Sequence, residues 1–257
     1  MKKIALITGA TAGIGRATAH KLAQDNYNLI LTGRRQDLLE DLKKELGIKY
    51  KCDVLSLVFD VRNNKQVEEF LGTLPEIWKE IDVLVNNAGL AAGLAPVQEG
   101  DLADWDQMID TNVKGLLYVT RVVAPFMIAR GHGHIINITS IAGKEVYENG
   151  NVYCATKHAV DALTKGFRLD LLKHNIKVTS IAPGMVDTEF SLVRFKGDKD
   201  RAVKFYEGFT PLCADDVAEA IFFAVTRPPH VNINDMLIMP AAQANATMTH
   251  RVFPENK

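Results

Sequence analysis

The sequence predicts a parallel α/β sheet with helices on both faces, and three observations predict it. Seven short apolar runs rich in β-branched residues recur along the 257 residues. They are continuous rather than alternating, as strands buried on both faces are. Segments with apolar residues three and four apart lie between them, so strands and helices alternate as βαβ units. A glycine-rich turn follows the first run, where such a sheet receives a ligand.

Taken in order, the strand candidates are IALIT (4–8), NLILT (28–32), VLSLVF (54–59), DVLVN (82–86), HIINIT (134–139), KVTSI (177–181) and MLIM (236–239). The helix candidates begin with ATAHKLA behind the glycines. In 36–46, Leu38, Leu39, Leu42 and Leu46 make an apolar stripe; in 64–74, Val67, Phe70, Leu71 and Leu74 do the same. Longer candidates cover 104–130, 151–173 and 214–226. Segment 187–212 is polar and aromatic and follows Pro183-Gly184; it reads as one or two short helices forming a lid. The tail, 241–257, lacks periodicity and reads either as a frayed terminus or as an arm on a neighbouring subunit.

Nothing divides the chain, so one domain spans 1–257. Hydrophobic residues are 47% of it, and 30 Lys+Arg against 31 Asp+Glu leave a net charge of −1. That balance argues against a nucleic-acid or anionic-membrane partner. Cys52, Cys154 and Cys213 stand too far apart for a disulfide framework or a zinc site, and no metal is expected. Each reads as a buried or half-buried thiol. No run reaches the length of a membrane span. MKKIALITGA imitates a signal peptide, but glycines and Arg16 follow at once. A soluble, cytoplasmic protein is the expectation.

The first strand ends in Thr8-Gly9-Ala10-Thr11-Ala12-Gly13-Ile14-Gly15. Glycines permit a tight turn and close backbone approach, and the helix N-terminus behind them favours a pyrophosphate. The spacing, G-x-x-x-G-x-G, differs from the usual G-x-G-x-x-G dinucleotide fingerprint. Alone it fits either a phosphate loop or a plain glycine turn. The second strand ends in Gly33-Arg34-Arg35. An NAD site places an acid there for the ribose 2′-hydroxyl, whereas guanidiniums suit a 2′-phosphate. The arginine pair therefore predicts NADP.

Tyr153 and Lys157, four apart in a predicted helix, share one face. A free tyrosine ionises near pH 10, and a neighbouring ammonium favours its phenolate. Ser140 stands at the end of the fifth strand, on the rim where parallel sheets bind ligands. As a bare pair, Tyr-x-x-x-Lys is a helix-surface pairing; with the serine and the glycine loop it is a constellation.

Seven motifs now stand in order: Thr8-Gly9-x3-Gly13-x-Gly15, Asp60-Val61, Asn86-Asn87-Ala88-Gly89, Asn112-x-x-Gly115, Ser140, Tyr153-x-x-x-Lys157 and Pro183-Gly184 with Thr188. In these the sequence resembles the short-chain dehydrogenase/reductase family over essentially its whole length. The resemblance implies a Rossmann-type doubly wound sheet of about seven strands, an NADP-dependent enzyme acting on CH–OH groups, and a homotetramer. It implies that Tyr153 is the acid/base, that Ser140 holds the substrate oxygen, and that Lys157 binds the nicotinamide ribose. Asn112 would hold a water in a proton relay. Gly9, Thr11, Gly13, Ile14, Gly15, Arg34, Arg35, Asp60, Val61, Asn87, Ala88, Gly89, Pro183, Gly184, Val186 and Thr188 would contact the cofactor, with Tyr153 and Lys157. The residues also carry plainer readings: a strand-ending turn at Asn86–Gly89, a helix cap at Asp60, a buried tethering amide at Asn112.

Segment 185–198, Val231–Asn234 and Met239-Pro240 resemble the branch that acts on 3-hydroxy acids with NADP: serine, allo-threonine, 3-hydroxyisobutyrate and, in reverse, semialdehydes. Val186-Asp187-Thr188 is where that branch varies. A carboxylate substrate needs a cation, and Arg194 is the candidate, or else a solvated lid residue or subunit contact. Lys144, Glu145 and Tyr147 either line the same pocket or are loop surface. Competing readings are a 3-oxoacyl carrier-protein, diacetyl or other carbonyl reductase, and a non-catalytic dinucleotide sensor. In the tetramer, helices 104–130 and 151–173 would pair between subunits through Leu116, Leu117, Val122, Val123, Phe126, Ala159, Val160 and Leu163.

Overall fold

The structure is a computed structural model, and it describes residues 2–253. Seven parallel strands, β1 (Ile4–Thr8), β2 (Asn28–Gly33), β3 (Val54–Val58), β4 (Ile81–Asn86), β5 (Gly133–Ile138), β6 (Ile176–Pro183) and β7 (Asp235–Ile238), form one sheet in the order β3-β2-β1-β4-β5-β6-β7. Each predicted run supplies a strand. The side-chain period of two sends successive residues of each strand to opposite faces. Ile7, Leu29 and Leu31 pack under α1 (Gly13–Gln24), α2 (Gln36–Tyr50) and α9 (Ala214–Val225). Leu6, Ile30 and Leu84 pack under α3 (Asn64–Gly72) and α5 (Leu116–Arg130) and the end of α6 (Asn151–Leu171). Both faces are covered, which is why the runs are apolar throughout.

The order reverses between β1 and β4, whose registers pair Leu6 with Leu84 and Ile7 with Val85. Such a reversal opens a crevice at the carboxyl ends of the strands. Over that crevice lies the predicted insertion, as two short helices, α7 (Glu189–Arg194) and α8 (Lys199–Lys204).

Four expectations change. The helix predicted over 104–130 is two helices, α4 (Leu102–Ile109) and α5, joined by a π-helical turn, Asp110–Gly115. There Gly115 meets Val61, and an added Cβ would press on the Val61 side chain. Asp60 does not cap α3; Asn63 does, accepting from the Gln66 N–H, while Asp60 is gripped by the Arg62 guanidinium at 2.7 and 3.0 Å. The tail, as far as residue 253, is not frayed. It packs on its own chain, with Val252 N–H donating to Gly208 and Arg251 to the carbonyls of Phe205 and Glu207, which removes the frayed reading alone. Residues 254–257 lie outside the described residues. Cys52 and Cys154 are buried as expected, but Cys213 is exposed, ahead of α9. Of the residues expected to pair between subunits, Leu116, Val123 and Val160 are buried within the chain itself.

No helix among the described residues is long and apolar enough to cross a membrane.

Candidate active site

A cleft of about 500 Å³ runs along the carboxyl ends of the strands, lined from Gly9 and Arg34 at one end to Tyr153 and Arg194 at the other. At the first end the chain turns sharply through Gly9, whose φ of +66° is a left-handed conformation that glycine adopts without strain. A Cβ on Gly15 would strike the Gly9 carbonyl and Asn87 Nδ2. One on Gly13 would press on Thr188, and one on Gly89 would fill the space beside Asn112 Oδ1 and Lys157 Nζ. The glycines thus keep open a trough that side chains would close, and α1 begins at Gly13 with no acidic residue in its first turn. Thr8 staples the trough's floor: its hydroxyl accepts from Asn87 and Ala88 N–H, both at 3.0 Å, and Asn87 Nδ2 donates back to the Thr8 carbonyl at 2.9 Å. Arg34 and Arg35 stand beside it. Arg35 donates to Thr11 Oγ1 at 2.8 Å, and Arg34 lies 3.8 Å from Asp60. Trough, helix start and guanidiniums fit a phosphorylated dinucleotide.

At the second end, β5 stops at Ile138, and Ser140 lies beyond it, capping a 3-10 turn (Ile141–Gly143). Gly143 lets this turn lie on α6, since a Cβ there would be 2.7 Å from the Lys157 carbonyl. That contact brings Ser140 and Tyr153, on α6, together in the lining of the cleft, with the Ser140 hydroxyl donating to the Pro183 carbonyl at 3.4 Å and accepting from Ala142 N–H at 3.1 Å. One helical turn on, Lys157 Nζ donates to the Ile138 carbonyl at 2.9 Å. It sits 5.9 Å from the Tyr153 ring centre. Asn112, on the π-helical turn, has both its N–H donors and one acceptor position of Oδ1 engaged. Its Oδ1 accepts from Leu90 N–H and its Nδ2 donates to the Leu90 carbonyl, both at 2.8 Å, and to Thr156 on α6 at 3.0 Å. This is the tethering amide of the plainer reading, joining the loop after β4 to α6. A π turn at such a place is a common mark of a functional site.

Burial pushes the Tyr153 phenol above its ordinary value near 10, while the Arg194 guanidinium and the Ser140 hydroxyl pull it down. Two cations thus stand at the Tyr153 ring, Lys157 and Arg194. Arg194 is closer, 4.9 Å from the ring centre, and burial brings Lys157 itself down from 10.5 to about 8. Arg194 is only 6% exposed, stacked among Tyr147, Tyr153 and Phe190. One of its terminal N–H groups donates to the Tyr147 hydroxyl at 2.7 Å, and its buried Nε meets no acceptor among the described residues.

A family model described as short chain dehydrogenase matches residues 3–198. The chain belongs to the short-chain dehydrogenase family. It is 49% identical over 250 residues, 96% of its length and 99% of the relative's, to the NADP-dependent 3-hydroxy acid dehydrogenase of Salmonella typhi. Sulfoacetaldehyde reductase 2 of Chromohalobacter salexigens is 47% identical, over 95% of this chain and 96% of that one. Among solved structures, the closed form of a serine dehydrogenase complexed with NADP⁺ matches with a TM-score of 0.91 at 48% identity, covering 97% of this chain and 100% of that one.

Within this dehydrogenase fold the cleft gathers nearly all the residues singled out in the sequence, from Gly9, Thr11, Gly13 and Ile14 to Asp60, Val61, Asn87–Gly89, Pro183, Gly184, Val186 and Thr188. Gly15 and Asn112 stand behind the wall. Of the three residues left open after Ser140, only Tyr147 faces the cleft. Lys144 pairs with Asp161 and Asp235, and Glu145 accepts from Ala246 N–H in the tail. Leu94, Phe190, Phe205, Tyr206 and Gln243 also line the cleft and were not singled out. The aromatic content of 187–212 pointed toward three of them. Gln243 carried no signal; it reaches Met185 N–H across 58 positions of sequence.

The buried Lys157 has a measurable cost. Its folded value of about 8 lies below the unfolded 10.5, so between those pH values the unfolded chain binds more protons and stability rises with pH. Lys157→Met should therefore stabilise the fold at pH 7, by about 1–3 kcal/mol once the lost Ile138 hydrogen bond is deducted. The gain should shrink by pH 10. Urea unfolding at the two pH values checks this, and equal or lower stability of the variant at pH 7 refutes it.

Proposed function

We propose that this chain is an NADP-dependent oxidoreductase acting at the 3-hydroxyl carbon of small 3-hydroxy acids, of the serine, allo-threonine and 3-hydroxyisobutyrate type, and on the matching semialdehydes in reverse. One observation carries the substrate class. The buried Arg194 guanidinium, with an unpaired Nε, stands against the Tyr153 ring at the substrate end of the cleft. A buried cation needs an anion, and arginine takes a carboxylate on two N–H groups. The Salmonella 3-hydroxy acid dehydrogenase and the serine dehydrogenase act in the same class of reaction.

Bound NADP supplies the hydride chemistry. The glycine trough and the start of α1 hold its pyrophosphate, and Arg34 and Arg35 its 2′-phosphate. Asp60 and Val61 would meet the adenine, Asn87–Gly89 the ribose side, and Pro183, Gly184, Val186 and Thr188 the nicotinamide side. Tyr153 takes the proton from the substrate hydroxyl, or returns it in reduction. Ser140 donates to the same oxygen and orients it. Lys157 would bind the nicotinamide ribose and adds positive potential beside the Tyr153 ring. Asn112 fixes the floor through Leu90 and Thr156. Segment 187–212 is the lid, and Arg194 holds the substrate carboxylate from it.

The deciding experiment is a substrate panel with NADP and with NAD. Serine, 3-hydroxyisobutyrate, an acyl thioester and sulfoacetaldehyde should be compared, the last because a sulfonate suits the same guanidinium. Hydroxy acids with NADP should give the highest kcat/KM. A clear NAD preference would remove the cofactor assignment, and a preference for the thioester would remove the substrate class.

In the proposed homotetramer, half-buried Leu117, Val122, Phe126, Ala159 and Leu163 on α5 and α6 supply the interface. The three free thiols suit a reducing compartment, the cytoplasm in this proposal.

A further inference from the structure

One ion pair crosses the cleft at its phosphate end. Arg35, just after β2, directs Nε and Nη2 to Thr11 Oγ1 at 3.2 and 2.8 Å and Nη1 to Glu189 Oε2 at 2.9 Å. Three of its five N–H donors are thereby engaged, one of them by a carboxylate. Arg34 is less committed. Its acid neighbour, Asp60, stands 3.8 Å away and is already held by the Arg62 fork. The two arginines are thus unequal: one faces a distant, satisfied acid, and the other is shared with an anion.

We propose that Glu189 is a cofactor-specificity residue that competes with the 2′-phosphate for Arg35, holding affinity for the phosphorylated cofactor below what the arginine pair alone would give. The inference rests on the assignment of Arg34 and Arg35 to that phosphate. Both side chains of the pair are about half exposed, 47% for Arg35 and 54% for Glu189, so the pair opens at little cost. A phosphate arriving on Arg35 takes Nη1 from the carboxylate or sits beside it as a like charge, and either way Glu189 opposes it. A cofactor without the 2′-phosphate leaves the pair intact. Glu189 also opens α7, which ends at Arg194. The same exchange therefore links phosphate binding to the segment over the substrate end.

The test is calorimetric titration of the full chain, at low salt, with 2′,5′-ADP and with 5′-AMP. Glu189→Gln should tighten 2′,5′-ADP about three- to tenfold and change 5′-AMP by less than about twofold. In an Arg35→Ala background, where only like-charge repulsion is left, the same substitution should tighten 2′,5′-ADP by less than about twofold. Unchanged or weaker binding of 2′,5′-ADP by Glu189→Gln overturns the proposal, as does equal tightening of 5′-AMP. Equal tightening in the Arg35→Ala background also overturns it, since Glu189 would then act without Arg35. The phosphate assignment fails separately: its failure is that Arg34→Ala and Arg35→Ala each bind 2′,5′-ADP as tightly as the unmodified chain does.

Discussion

Tyr153→Phe is expected to lower kcat by about 10² to 10⁴, the usual worth of a positioned general acid–base. The substitution removes one oxygen and keeps the ring, so the edge-to-face contact with Phe190, at 5.6 Å between ring centres, and the Arg194 face survive. Loss of turnover without loss of stability then belongs to the proton and not to packing. The pH profile adds a second readout. Burial raises the phenol while Arg194 and Ser140 lower it. In the oxidative direction the phenolate is the working form, so the rate should climb with pH toward the tyrosine's value. In reduction the phenol is the working form, and the rate should fall over the same range. The phenylalanine variant should show neither limb. Near-normal turnover, or an unchanged pH profile, would remove Tyr153 from the role.

Local pattern explains what could be read from the sequence. Tyr153 and Lys157 were legible because i and i+4 share a face whatever the tertiary fold. The strands were legible because a sheet covered on both faces demands unbroken apolar runs such as IALI. The glycine trough was legible because few other residues tolerate a φ of +66° at Gly9. Contacts between distant segments were not. Gln243 enters the site by folding back from the tail, and Glu189 meets Arg35 across 154 positions. The π turn at Asp110–Gly115 was hidden inside a continuous helical pattern. The approach of Arg194 to Tyr153 was hidden for the same reason, because sequence spacing nominates Lys157 alone and the insertion after β6 adds Arg194.

Arg194→Ala is expected to reduce kcat/KM for a carboxylate substrate by about 10- to 100-fold, mostly through KM, the cost of losing a charge-assisted hydrogen bond in a desolvated site. A neutral carbonyl of similar size should lose far less. Some loss is expected for both, since the guanidinium packs on three rings and holds the Tyr147 hydroxyl. Its removal also lets burial drive the Tyr153 phenol higher, which should move the pH profile to higher pH for every substrate. The ratio between the two substrates is therefore the measure of the carboxylate role, and the pH shift is the measure of the electrostatic one. Arg194→Met, which keeps apolar bulk against the rings but no donor, separates packing from charge. It should restore the neutral carbonyl toward the normal rate and leave the carboxylate substrate impaired. Equal losses on both substrates would mean that Arg194 supports the aromatic cluster and Tyr153 without recognising the acid.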